Sequence, residues 1–535
     1  MLERLRKLYP DHLGVWHDKP EDKATLPEEG GVIDASSYQT LEVDTLYERV
    51  NATTTFVGGA TLHRSLARPL REAGLIEAKQ RAVEELAADE SLRAGLEELL
   101  AHAGSPDREP EFYKLLYYYF LGTIGSPTHD REIRGFGYEA YLNGTRFVLE
   151  TVEKARQLPP PRSPYLRELV DTLKAFADSR SYALMTGPVY RTEKQLLTKE
   201  EKGLSPAIRF RPSLFKPGLI AGLVGGLLLL WAGLPPLLDM SRPAIGVLGL
   251  FLLPLGAAYP PIVGSYDRDR FIYPLRRLFR EDPAVHRFLE ALGYLDELMS
   301  LYRFSREFGH PTCLPTLLED GHHRFIAKGL RNPILAKGDP DYVPNDIELD
   351  RHRITFITGP NSGGKTAFCK TVAQSQLLAQ IGGHVPAGEA SLTIADRIFY
   401  QVPEVSRLTS GEGRFATELK HTKQIFLAAT PRSLVILDEL AEGTTYEERL
   451  QISHDIMQGF HKKGCTTLLV THNHQLVDKF IEQGIGQAKQ VEFVGDHPTH
   501  RLIDGISRVS HADRVAREVG FSREDIERYL EEGEK

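Results

Sequence analysis

Cysteine is scarce in this 535-residue chain: only Cys313, Cys369 and Cys465 occur, far apart. They have no metal-ligand spacing and no disulfide framework, which fits a reducing compartment. A strong excess of one charge is also lacking. A formal net charge of -8 gives no whole-chain attraction to nucleic acid, so any such surface is local. The N-terminal MLERLRKLYPDHLGVWHDK has no apolar run of the kind a signal peptide needs. No internal repeat is apparent. What is present is ordinary for a globular chain: 41% hydrophobic and 26% charged residues allow sizeable cores, and the length predicts about two to four domains.

One stretch breaks that pattern. Pro217 to Leu238 gives 22 residues without a charge, and Pro243 to Tyr266 gives 24 more after the connector Asp239-Met-Ser-Arg242. Each run is long enough to cross a bilayer, which takes about 20 helical residues, so 215–266 is expected to form a transmembrane helical hairpin. The alternative is a helical hairpin buried in a soluble core, but a soluble helix keeps a polar face and neither run has one. Arg209, Arg211 and Lys216 precede the hairpin; Arg268, Arg270, Arg276 and Arg277 follow it. Positive flanks stay on the inner side, which places the chain in the cell (inner) membrane with its soluble parts facing the cytoplasm. Gly218, Gly222 and Gly226 form a close-approach helix face, whose partner is either the second helix of the hairpin or another protomer.

Residues 1–35 are polar and Gly/Pro-punctuated, an expected loose arm. From 36 to 214 the spacing of Leu62, Leu66, Leu70 and later Leu92, Leu96, Leu99 and Leu100 predicts helices, interrupted by Pro159-Pro160-Pro161. Helix resumes over 267–330. From 331 to 535 the texture alternates: Arg353–Thr358, Ser433–Asp438 and Thr466–Thr471 read as buried strands separated by helices. That pattern predicts an α/β domain with a largely parallel sheet.

In that domain Gly359-Pro360-Asn361-Ser362-Gly363-Gly364-Lys365-Thr366 matches GxxxxGK[ST], with a strand before and a helix after. Such glycines let backbone N–H groups close around phosphate oxygens at a helix N-terminus. Lys365 then reaches the β/γ-phosphates and the Thr366 hydroxyl ligates magnesium. Asp438 ends an apolar strand, suited to hold magnesium; Glu439 follows it, suited to polarise a water. His472 sits at the end of another strand, where such sheets bind ligands; it is either a γ-phosphate contact or a structural histidine. ATP and Mg2+ are the expected cofactors, and Glu439, His472 and Lys365 the expected catalytic residues.

The C-terminal part resembles the ATPase domain of the MutS family of DNA mismatch-repair proteins. The resemblance runs from Tyr342-Val-Pro-Asn-Asp346 through ITGPNSGGKT, LLAQIGGHVPA (377–387), Asp396–Phe399, LDELAEGTT (437–445) and VTHNHQL (470–476). An LSGGQ-like signature of generic ABC or SMC ATPases is absent. A weaker match, Asn51 to Leu70, looks like the start of the family's core and lever. The resemblance thus implies a P-loop ATPase domain (ABC/MutS-like) preceded by an all-α core/lever domain that the hairpin interrupts. It adds Asn345 to the nucleotide-contacting residues, and it implies a homodimer joined partly by a C-terminal helical segment. In that dimer Ser410 to Glu418 covers the partner's ATP. Gly413 and Arg414 stand where the family has Ser-Thr, so Ser410, Gly411, Gly413 and Arg414 form the expected trans site; Arg414 is either a trans finger or an intrachain ion pair. With some 40 residues before the core, the family's mismatch-binding and connector domains are not expected, and the Phe-x-Glu tripeptides at Phe279–Glu281 and Phe480–Glu482 lie elsewhere. No endonuclease-type tail is expected. The leading functional expectation is a membrane-tethered ATP-driven dimer switch acting on DNA. The alternative is a membrane-bound switch acting on a protein partner; a transporter is disfavoured because one hairpin is too small for a pore.

Overall fold

The computed structural model describes residues 30–120, 135–222, 224–226, 253–360, 363–403, 414–441, 445–494, 497–508 and 519–533. They divide into two compact units. One comprises Thr53–Ala60 and Asp89–Asp296; the other comprises 30–52, Thr61–Ala88 and Glu297 onward.

The first unit is helical, apart from a small antiparallel sheet of β1 (Tyr190–Arg191), β2 (Leu196–Leu197) and β3 (Ile208–Arg209) in the order β2-β1-β3. The proline cluster does separate two helices, Tyr138–Gln157 and Pro164–Ala175. Pro164 occupies the first turn of the second, where its missing N–H costs nothing. Two fully buried carboxylates organise the chain before and within Phe56–Val57. Asp296 accepts from the Thr54 and Thr55 amides at 2.9 and 2.7 Å and from the Thr55 hydroxyl at 2.7 Å. Glu109 accepts from the Phe56 and Val57 amides at 2.7 and 2.8 Å. The Thr55 and Val57 amides are buried orphan N–H groups of a helix start and therefore need acceptors. A Cβ on Gly58 would lie 2.2 Å from the Asp296 carboxylate, so only glycine fits.

Of the expected hairpin, 223 and 227–252 lie outside the described residues. The chain re-enters as helix Leu253–Asp267, passes a π-helical turn at Arg268–Ile272, and continues as Tyr273–Glu281 and Pro283–Glu307. Among the described residues no helix is long and apolar enough to cross a membrane. The flanks of the uncharged runs are tied together: Lys216 pairs with Asp267 at 2.6 Å, and the Tyr259 hydroxyl donates to the Leu214 carbonyl at 3.0 Å.

The second unit holds a six-stranded sheet in the order β13-β12-β7-β11-β10-β9. Its strands are β7 (Ile354–Thr358), β9 (Ile398–Gln401), β10 (Leu434–Asp438), β11 (Thr466–Val470), β12 (Gln487–Val494) and β13 (His497–Asp504). All neighbours pair in parallel except β12 with β13. β7, β10 and β11 are buried at every residue, as continuous apolar runs covered on both faces must be. One face packs Phe356, Val435, Leu437 and Leu469 against Met457, Phe460 and Phe480 of the flanking helices. A second sheet, β4-β8-β5-β6, combines Thr316–Leu317, Glu389–Leu392, Phe325–Leu330 and Asn345–Leu349.

The described end of the N-terminal arm is not loose. Ile33 bridges Ile398 in parallel, the Ile398 amide donates to the Val32 carbonyl at 2.7 Å, and both apolar side chains are buried. The arm covers the exposed polar groups of edge strand β9, which a six-stranded sheet otherwise leaves open.

Helix Lys365–Gln380 is buried along nearly its whole length, including Gln374, Gln376 and Gln380. These amides are bonded: Gln374 donates to the Leu41 carbonyl at 2.8 Å, and Gln380 donates to the Leu70 carbonyl at 2.8 Å while accepting from the Ala395 amide at 3.0 Å. A buried ion pair, Lys79 with Glu297 at 2.7 Å, lies at the helix's far end, where a Cβ on Gly382 would meet the Lys79 Cβ at 2.6 Å.

Candidate functional site

β7 delivers the chain into the glycine-rich loop and helix Lys365–Gln380 takes it away. Gly359 and Gly364 have φ of +129° and +87°, conformations that L side chains resist. A Cβ on Gly363 would lie 2.8 Å from Val491. Asn361 and Ser362 fall outside the described residues. The Gly363 amide donates to the Pro360 carbonyl at 3.0 Å, closing the described part of the loop. Lys365 folds back over it and donates to the Gly359 carbonyl at 2.5 Å. Burial pushes its ammonium down to about 8, although Glu439 and Asp438 pull the other way.

The adjacent strands bring in the acids. The Thr366 hydroxyl donates to Asp438 at 2.8 Å. Burial raises the Asp438 carboxyl above its ordinary value, and the Thr366 bond opposes this. Glu439 stands at φ +62° and Ala441 at +58°, left-handed backbone costing about 1–3 kcal/mol each for non-glycine residues. Their hold is visible: the Glu439 amide donates to the Val470 carbonyl at 2.9 Å, and the Ala441 amide to the buried Glu418 carboxylate at 2.5 Å. His472, just past β11, places Nε2 3.2 Å from the Glu439 carboxylate. That bond holds Glu439 below its ordinary value against the opposing effect of burial, so it is an ionised acceptor near neutrality.

Thus Lys365, Thr366, Asp438, Glu439 and His472 gather at the carboxyl ends of three neighbouring strands, where open α/β sheets bind ligands. Among the described residues no group of three His, Cys, Asp or Glu could cage a metal. One hydroxyl and one carboxylate in contact fit magnesium, which keeps most of its waters and binds with substrate phosphates. Asn345, expected among the nucleotide-contacting residues, lines a cavity next to the phosphate loop. Its amide donates to the His500 carbonyl at 3.0 Å and accepts from the Leu502 amide at 2.7 Å, tying β6 to β13. It thereby forms one wall of a cavity of about 430 Å3 beside Gly363 and Gly364, whose other walls include Tyr342, Phe368 and His500. Sequence reasoning missed Phe368 and His500 as site residues; His500 is 135 positions from Lys365 and has no motif. Ser410, Gly411 and Gly413 lie outside the described residues, and Arg414 opens helix Arg414–Ala428.

Residues 32–301 match the family model described as MutS domain III, and residues 355–527 match MutS domain V. The chain belongs to the MutS family. Curated MutS relatives agree with this. The DNA mismatch repair protein MutS of Chlorobium phaeobacteroides is 32% identical over 278 residues, covering 49% of this chain and 31% of that protein. The protein of the same name from Desulforamulus reducens is 36% identical over 228 residues, covering 41% and 26%. That of Thermotoga maritima is 34% identical over 222 residues, covering 41% and 28%. The chain therefore aligns with less than a third of the length of these MutS proteins.

Proposed function

We propose that this MutS-family chain is a magnesium-dependent ATPase, and that it works as a homodimer on DNA while tethered to a membrane by 215–266. The observation that carries the catalytic reading is the convergence of Lys365, the Thr366–Asp438 pair and the Glu439–His472 pair on one sheet edge. Bound magnesium would supply charge neutralisation at the phosphates, held by Thr366 and Asp438. Lys365 and the loop amides of 359–364 hold the phosphates. Glu439, kept ionised by His472, accepts from and orients the attacking water. The cavity walled by Tyr342, Phe368, Asn345 and His500 has the size and aromatic lining for the base.

The tether reading is supported by the two uncharged runs and by apolar side chains exposed in or beside their described parts, Phe215, Leu219 and Ile262. The dimer reading follows the family resemblance, in which the partner's 410–418 segment covers the ATP, Arg414 contributing its guanidinium. Val519, Phe521 and Leu530, exposed around the C-terminal helix Arg523–Gly533, suit the same role.

The test uses two variants of purified full chain. Lys365→Ala is expected to lose tight ATP binding and Arg414→Ala to lose hydrolysis. Mixing them should restore one working site per mixed dimer. Normal ATP binding by Lys365→Ala sinks the site; full activity of Arg414→Ala alone removes the trans residue.

A further inference from the structure

A cleft of about 950 Å3 in the helical unit has walls far more basic than the chain as a whole. Arg191 and Lys194 line one wall, on the β1–β2 hairpin; Arg276, Arg277 and Arg280 line the other, on helix Tyr273–Glu281; Arg180 completes the set. Two carboxylates, Asp269 and Glu281, also reach the lining. Asp269 is taken by Arg268 at 2.8 Å, and Arg180 is neutralised by Glu201 at 2.6 Å. Among the described residues the other five cations have no ion pair. Six cations against two carboxylates, one of them already taken, leave the cleft with an excess of positive charge that attracts an anion. Burial, with Arg280 adding to it, pushes the Arg276 guanidinium below its ordinary value.

The neighbourhood identifies the anion. Tyr273–Glu281 follows the C-terminal uncharged run after a single π-helical turn. Arg276 stacks 4.4 Å over the Tyr273 ring and Arg280 5.0 Å over Tyr117, while Tyr119 is 71% exposed. Basic and tyrosine side chains beside an apolar run form the composition of a membrane–water boundary. A walled cleft also admits one or two phosphates at a time, whereas a duplex presents its phosphates along a rod and needs an open face.

We infer that this cleft is a binding site for the phosphate headgroups of anionic phospholipids. The site rests on the proposed membrane tether and adds lipid selectivity to it: the Arg/Lys walls take the phosphate and the tyrosines sit at headgroup level.

Two measurements separate the tether from the cleft. Alkaline extraction of membranes reports the tether. Electron spin resonance then reports the cleft, using full-length protein in phosphatidylcholine bilayers with spin-labelled phosphatidylglycerol or spin-labelled phosphatidylcholine. Wild type should select phosphatidylglycerol by about an order of magnitude at low salt, and added salt should weaken this. Arg277→Gln/Arg280→Gln, on one wall, and Lys194→Gln, on the other, should bring the ratio towards unity. These side chains are exposed, so the fold should survive, and an unchanged thermal melt checks it. Equal selection of both lipids by wild type, or unchanged selection in both variants, overturns the site. If alkaline extraction releases the chain, the tether has failed, and flotation on phosphatidylglycerol vesicles takes over. Flotation that is lost in Arg277→Gln/Arg280→Gln then supports the cleft; no flotation overturns it. A DNA duplex bound through the same arginines, with no lipid selected, also overturns it and makes the cleft a nucleic-acid site.

Discussion

The two units bury carboxylates in opposite ways. In the helical unit, Asp296 and Glu109 are saturated with backbone donors from 54–57. At the phosphate site, Asp438 has a hydroxyl partner and Glu439 an imidazole, and both stand beside an amine pushed towards neutrality. Saturated carboxylates fix backbone. Carboxylates that keep acceptor capacity next to a phosphate cradle can take a metal ion or a water. Burial alone therefore does not mark a catalytic acid; the partner chemistry does.

The sharpest way to separate the two kinds is to neutralise one of each. Glu439→Gln should keep ATP binding and lower turnover by roughly 10²–10⁴-fold, since it loses the charge that orients and polarises the water. Near-normal turnover in a steady-state assay would put Glu439 with the structural carboxylates. Asp296→Ala should leave the chemistry of the phosphate site untouched and lower stability by about 3–5 kcal/mol, because two amides, one of them buried, and a buried hydroxyl lose their acceptor. Urea unfolding measures this, and a loss under 1 kcal/mol by the same scale would contradict the saturation argument.

A smaller contrast lies in pH dependence. In the nucleotide-free protein Lys365 titrates at about 8, below its ordinary 10.5. Between these values the unfolded chain holds a proton that the folded one has released, so stability rises with pH through that window. Nucleotide phosphate would pull the ammonium back up, so ATP affinity should fall as pH rises above about 8, by at most about tenfold per pH unit. Calorimetric titration across that window checks both the sign and the proton uptake; an affinity flat in pH would mean that Lys365 remains charged without nucleotide. The smallest expected effect is that of Asn345→Ala. Losing the brace between β6 and β13 should weaken ATP binding about threefold to tenfold with turnover of the bound complex unchanged, at a cost of about 1 kcal/mol per bond. A turnover defect would instead move Asn345 into contact with the reacting groups.

What could be read from sequence follows the same division. The loop 359–366 and the Asp438–Glu439 pair are contiguous, lie at strand ends, and announce themselves through strand-loop-helix spacing. His472 was found for the same reason, since it closes an apolar run. The buried runs of β7, β10 and β11 were equally legible. The Asp296 and Glu109 contacts were not, because their partners lie 242 and 53 positions away and no local pattern marks an acid that will cap a distant helix. His500 reaches the cavity only because β13 folds back antiparallel on β12, and the edge pairing of Ile33 with Ile398 spans most of the chain. The glutamines of helix Lys365–Gln380 carry no local sign of burial, because their partners Leu41, Leu70 and Ala395 come from elsewhere in the chain.

That helix has a mechanical consequence. Its 16 residues make a rod about 24 Å long. One end is the amine over the phosphate loop; the other exchanges two hydrogen bonds with Leu70 through Gln380. The braces from Leu41, Ala395 and Asn332 along its length leave little room to bend. A push at the loop would therefore be passed to Leu70 and Lys79 rather than absorbed by bending, in the manner of a pushrod. The buried Lys79–Glu297 pair at the far end would be its bearing: separating two buried charges is costly, so the pair would move with the rod as a unit.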